Sequence, residues 1–76
     1  MSATYIVVYV DEEGYGVIEH ETQDMENAHF EAIELQRLLS EEAGRIDIYR
    51  FSIPECEPLS APDIDLFSSY PLSGGE

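Results

Sequence analysis

Residues 24–43, DMENAHFEAIELQRLLSEEA, decide how the rest of the chain is arranged. Met25, Ala28, Ala32, Leu35 and Leu39 recur at alternating spacings of three and four. A helix gathers residues so spaced onto one stripe. Glu26, Glu34 and Glu41 fall on the other side, with Glu31 and Glu42 on its flank. The segment therefore predicts one amphipathic helix, with one side to bury and a row of carboxylates opposite. Asp24 is placed to cap it, because a carboxylate accepts from a free backbone N–H and suits the positive end of the helix dipole. Gly44 suits the stop, where the chain takes a conformation that costs glycine little.

Upstream, Thr4–Val10 reads TYIVVYV, β-branched and aromatic with apolar residues on both faces, as a central strand requires. Asp11–Gly16 is a turn with two glycines. Val17–Glu21 is a weaker strand, with Val17, Glu19 and Glu21 on one face and Ile18 and His20 on the other. The short connection makes a hairpin. Downstream, Arg45–Phe51 alternates, with Ile46 and Ile48 on one face and Asp47, Tyr49 and Phe51 on the other, and stops before Pro54. The order ββαβ predicts an α+β fold: a three-stranded antiparallel sheet in the order 2-1-3 with one helix packed on one face. Residues 1–53 make up this domain. Residues 54–76, rich in proline and serine, read as an extended C-terminal segment. Within it Ser60-Ala-Pro-Asp63 is patterned as a short helix start. Ile64, Leu66, Phe67 and Tyr70 follow, either to cover the open sheet face or to serve as an exposed peptide. Residues 73–76 are expected to be disordered.

The chain has 76 residues, which is one domain. A domain this small buries only about 60% of its unfolded surface, so one modest core is expected and a deep substrate pocket is not. Seventeen acids stand against three arginines and no lysine, for a net charge of −14. Such a chain repels itself, and it repels nucleic acid and anionic membrane, both of which need cationic contacts. Its expected partners are basic. The longest apolar run, Tyr5–Val10, is strand length, and MSATYIVV lacks the basic region and cleavage pattern of a secretory leader. With Cys56 the single cysteine, no internal disulfide is expected, and the location expected is the cytoplasm.

The pattern points away from catalysis. Cys56 lies between Glu55 and Glu57, whose charges disfavour a thiolate. Glu19-His20-Glu21 cannot close on one metal ion from a strand, because His20 points away from its neighbours, and Asp11-Glu12-Glu13 lacks the spacing of a calcium loop. Exposed acids lack the buried setting that a general acid needs. No catalytic residue, metal or cofactor is predicted.

The acidic surface remains. On a helix, residues three and four apart stand about 5–6 Å from each other, so Glu26, Glu31, Glu34, Glu41 and Glu42 form a negative ridge. A duplex carries one charge per ~1.7 Å of axis, which the helix alone does not reach. Asp11, Glu12 and Glu13 of the turn and Glu19 and Glu21 of the second strand are needed to widen the charged face. Phe30 points away from the apolar stripe, toward Ile33 and Glu34. Either the buried arc is wider than the stripe, the simpler expectation, or Phe30 is an apolar anchor rimmed by acids. Arg37, Arg45 and Arg50 are expected to neutralise acids internally.

In size, charge and element order the chain resembles the small phage-encoded anti-CRISPR and anti-restriction proteins, several of which imitate nucleic acid electrostatically. The resemblance includes no sequence motif. It implies a non-enzymatic inhibitor that occupies the nucleic-acid groove of a host nuclease or defence complex in the host cytoplasm, acting as a monomer or homodimer. A second, local likeness lies in Ile64-Asp65-Leu66-Phe67, which is similar to the end of the bacterial sliding-clamp-binding peptide, with Asp63 where that peptide has glutamine. It implies a tail docking on a replication protein. Adaptation to high salt is the other reading of an acid-rich, lysine-free chain.

Overall fold

The computed structural model describes residues 3–52 and 63–72. Their order is β1 (Ala3–Val10), β2 (Gly16–Thr22), α1 (Met25–Leu38), β3 (Arg45–Ser52) and β4 (Asp63–Pro71). The strands form one antiparallel sheet in the order β2-β1-β3-β4, with α1 across one face. The fold is α+β, and the order 2-1-3 is present. The three-stranded count is corrected by β4, which pairs with β3 from Arg45↔Pro71 to Ser52↔Asp63. The segment read as an extension thus supplies an edge strand. Asp63 begins that strand and not a helix. The Ser60 and Pro62 part of that reading, and residues 73–76, lie outside the described residues.

The core sits between helix and sheet. Val7, Ala28, Ala32, Ile46 and Ile48 are fully buried, with Tyr5, Tyr9, Leu35, Leu39, Tyr70 and Leu72 packed around them. The two alanines set the spacing, because a side chain of one carbon lets the helix backbone approach the central strands. Register fixes which residues face α1. Val7↔Ile48 and Tyr9↔Ile46 lie beneath it. Their alternates Ile6 and Val8 face the opposite side with Tyr49 and Asp47. Met25, the first residue of the expected stripe, is exposed.

The helix is also shorter than 24–43. Asp24 caps it, with its carboxylate accepting from the Glu26 N–H, and it ends at Leu38 with Leu39 as C-cap. The Glu42 N–H then bonds to the Leu39 carbonyl at 2.9 Å in a turn. Glu41 and Glu42 oppose the negative end of the helix dipole, so prolonging the helix through them is unfavourable.

Both edge strands carry a bulge. In β2 the pairing shifts between Val7↔His20 and Val8↔Ile18, which makes Glu19 the extra residue. The expected faces of that strand are therefore corrected. Val17 and His20 lie on the helix side, and Ile18 and Glu21 on the open side. In β4 the shift between Ile48↔Ser68 and Tyr49↔Leu66 makes Phe67 the extra residue. Its ring packs edge-on against Tyr5 at 5.3 Å and beside His29 at 5.6 Å. Tyr70 completes this group through a hydrogen bond with His29 Nδ1.

Asp47 is a fully buried carboxylate on the open side of β3. Ser69 Oγ donates to Oδ1 at 2.8 Å and Arg45 Nε to Oδ2 at 3.0 Å, so both carboxylate oxygens have a partner. Buried charge is tolerable only with such partners. The pair joins β3 to β4 by side chains as well as by the backbone ladder.

Two substitution pairs test these assignments by urea unfolding. Gly44 has φ 120°, and a Cβ there overlaps the Val10 carbonyl oxygen with Asp11 Cα 3.1 Å away. Gly44→Ala is expected to cost on the order of 3 kcal/mol. Gly14 has φ 92° over open space, so Gly14→Ala is expected to cost only about 1 kcal/mol. Equal losses at the two glycines contradict the close approach at Gly44. Asp47→Ala removes the bonds from Arg45 and Ser69, both exposed enough to be rehydrated, so the expected cost is roughly 1–2 kcal/mol, and Asp47→Asn should recover part of it.

Candidate functional site

The acids nominated from sequence fall into three groups. The first is the outward side of α1. Glu26, Phe30, Glu31 and Glu34 keep their helical positions. Phe30 is two residues from both Ala28 and Ala32, which puts it ~200° round the helix from the buried stripe. It is 60% exposed, and Ile33, one turn on, is 46% exposed. The expectation of a wider buried arc is thereby corrected, and Phe30 stands as an exposed ring between Glu26 and Glu34. Ile33 belongs with it. It sits at i+3 from Phe30, and that spacing was the available signal. Glu31 and Glu34 are half-buried, and Glu34 lies 3.6 Å from Arg37.

The second group meets at one end of the sheet. The turn acids Asp11, Glu12 and Glu13 face Glu42 across a cleft of about 260 Å³ that Tyr9 and Ala43 also line. They meet Glu42 and not the helix ridge, because the chain leaves the helix before Glu41. Glu41 and Glu42 are exposed in the turns that follow. Asp11 is partly committed to the turn itself. Its Oδ1 accepts from the Glu13 and Tyr15 N–H groups at 2.9 Å each. The floor is held by the Tyr9 hydroxyl, which donates to the Ala43 carbonyl at 2.9 Å. Burial first, then the charges of Glu42, Asp11 and Glu12, push the Tyr9 phenol above its ordinary value of 10.0. Four carboxylates around an open cleft attract an ammonium or guanidinium group.

The third group separates from both. Glu19 is the bulged residue of β2, and Glu21 pairs opposite Ile6 on the open side. The duplex-like face that needed both residues is not assembled as one continuous ridge.

The three arginines each lie beside a carboxylate: Arg37 with Glu34, Arg45 with Asp47, and Arg50 with Asp65 at 3.6 Å. The histidines are also engaged. His20 Nε2 donates to Asn27 Oδ1 at 2.8 Å, and His29 sits between Phe67 and Tyr70. Among the described residues no group of three or more His, Cys, Asp or Glu side chains is arranged to hold a metal ion. Nor is any helix among them long and apolar enough to cross a membrane. In Ile64-Asp65-Leu66-Phe67, the stretch similar to the clamp peptide, Phe67 is packed on Tyr5 and His29, and Asp65 lies 3.6 Å from Arg50. Docking as a free peptide requires that strand to leave the sheet.

Comparison with known proteins finds no match to this chain among family models, curated proteins or solved structures.

Tyr9 offers a direct probe of the acidic cleft. A phenol whose folded value is raised keeps its proton longer than the unfolded chain does. The stabilisation is complete below pH 10 and is lost as pH climbs through the folded value. In an ultraviolet titration of the five tyrosines, Tyr9→Phe is expected to remove a late-titrating component. Glu42→Gln should move that component toward neutral pH. Loss of an early component instead contradicts the placement of Tyr9 among these acids.

Proposed function

We propose that this protein is a non-enzymatic inhibitor that occupies a cationic, nucleic-acid-binding groove on a host nuclease or defence complex. One observation carries the reading: Phe30 is exposed at the centre of an acidic helix face, on the layer that the sheet supports from behind. One exposed apolar residue needs no explanation, but Phe30 and Ile33 are exposed together one turn apart among carboxylates, and a surface that served only solubility gains nothing from that pairing. A surface that docks on a basic groove uses both parts. The carboxylates of Glu26, Glu31 and Glu34 steer the encounter and fix its register. Phe30 and Ile33 supply apolar contact at the centre, where water is excluded and binding energy concentrates. The cleft of Asp11, Glu12, Glu13 and Glu42 adds a second contact that takes a lysine or arginine side chain of the partner.

The division of charge into a helix face and a separate cleft favours imitation of local phosphate positions over imitation of a whole duplex. The partner's groove would be met at two places, an end and a side.

The test is competition. Nuclease complexes purified from the host are loaded with labelled nucleic acid, and the protein is titrated in. Displacement is expected, and it should weaken steeply between low and high salt as screening grows. Phe30→Ala is expected to weaken displacement by roughly 10- to 100-fold. The double reversal Glu26→Lys with Glu34→Lys should abolish it while the circular dichroism spectrum stays unchanged. Displacement that is indifferent to salt and to both changes rules the reading out.

A further inference from the structure

The face of the sheet away from α1 has a different character from the rest of the molecule. Register places Ile6 and Val8 of β1, Ile18 of β2, Tyr49 of β3, and Ile64 and Leu66 of β4 on it. Of its central residues Ile6, Val8 and Tyr49 are half-buried and Val10 and Asp47 buried, but the apolar residues on the two edge strands are exposed. Ile18 is 65% exposed, Ile64 60% and Leu66 58%. Their apolar surface runs from one edge of the sheet to the other. Isolated exposed apolar residues need no explanation, but a continuous band across four strands does.

Charge separates this face from every other surface. The charged residues at its paired positions are Glu21, Arg45 and Asp47, and Arg45 offsets Asp47 at 3.0 Å. Glu21 is left as its one uncompensated charge among the paired positions. The helix acids and the cleft acids lie on the other layer and at one end. A cationic partner finds little to pair with here. A second copy of this chain finds an equally apolar and nearly neutral surface.

We infer that two copies pair through these open sheet faces. The contact is isologous, the same patch on each copy, as a two-fold axis requires. Sheets packed face to face stand about 10 Å apart. With helices about 10 Å in diameter on the outer sides, the two acidic helix layers lie on the order of 30 Å from each other. That exceeds the screening length of about 8 Å at physiological salt several-fold, so the helix acids of the two copies largely escape each other. Pairing through the helix faces would instead bring the acids together.

Area sets the strength. Four strands at ~4.8 Å spacing and eight residues at ~3.3 Å give a face on the order of 500 Å² in projection, and side-chain relief raises its accessible area. A stable interface buries about 800 Å² on each partner. The pairing therefore sits at the small end of that range and dissociates on dilution. Because the attraction is apolar and the opposition is charge, salt strengthens it. Binding to a cationic partner through the helix responds to salt in the opposite sense, so either reading can fail without the other.

Sedimentation equilibrium on the full chain, over a range of protein concentration and salt, tests the inference. The expected result is a mass moving from one copy to two as concentration rises, with a tighter constant at high salt. Leu66→Glu and Ile18→Glu, at exposed positions on opposite edges, are each expected to weaken pairing at least 100-fold. Phe30→Glu on the helix should leave it unchanged. A single-copy mass up to millimolar concentration overturns the inference. So does a dimer that survives both sheet-face variants or is lost with Phe30→Glu. If instead Leu66→Glu lowers the unfolding midpoint of a chain that stays monomeric, the face is covered by another part of the same chain, and the inference also fails.

Discussion

Among the described residues one helix, of 14 residues, serves a sheet of four strands. At about 1.5 Å per residue it is ~21 Å long, enough to lie across one face and no more. Everything else in the structure follows from that shortage. Among the described residues the core cluster of Val7, Ala28, Ala32, Ile46 and Ile48 lies between the helix and the two central strands. The edges have to be held by other means. β4 is tied down on the helix side by Phe67 and Tyr70 around His29, and on the open side by Ser69 to Asp47. Polar and aromatic fastenings thus hold the edge that a second helix would have covered.

The same shortage leads to the division of surface. A residue on the covered layer is either under the helix or on its outside, and the outside carries the acids. On the uncovered layer the edge positions Ile18, Ile64 and Leu66 face solvent, whereas Val10 and Asp47 are buried and Ile6, Val8 and Tyr49 half-buried, because the central strands must pack. The charge of −14 is therefore not spread evenly. Among the described residues the acids gather mainly on the helix, in the hairpin turn and after the helix, with Glu19, Glu21 and Asp65 on the edge strands, where self-repulsion is relieved by solvent. Asp47 is the exception that keeps to the rule: a carboxylate among apolar neighbours, neutralised by Arg45 and bonded by Ser69.

What could be read from the sequence divides along the same line. The helix, its cap at Asp24, the hairpin and the pairing order of the first three strands were legible because each rests on local signals: a three-and-four period, a cap residue, a turn with glycines. The edge strands were harder, and the reason is physical. Each has an extra residue, Glu19 in β2 and Phe67 in β4. A bulge breaks the alternation by which a strand is recognised, and it also blunts an edge against unwanted pairing. In β4 it leaves Ile64, Phe67 and Tyr70 three apart, a helical spacing, behind a serine and proline that resemble a helix start. The device that protects the edge hides the strand. The burial of Asp47 was invisible for a related reason, since Ser69 stands 22 residues away on a strand that the alternation rule does not find. Of the candidate site, the acids on the helix were legible by position, but their grouping was not. Glu42 joins the turn acids only because the helix stops early, under the influence of the acids at its own C-terminus.

Two faces of opposite character make opposite demands on their surroundings. An apolar seam gains from salt, and a carboxylate ridge loses by it. On one small domain the two would interfere if they adjoined, because charge near a seam weakens apolar contact and a buried seam would hide charge from a partner. The sheet keeps them apart. Alternation along each central strand sends neighbouring residues to opposite layers, so that Val7 lies under the helix while Ile6 and Val8 face away. Pairing through the open face would then double the acidic surface available to a basic partner while keeping the two helix faces apart, with Glu21 the one uncompensated acid at the paired positions of the seam. The period of two along β1 accounts both for the core and for the separation of the two surfaces.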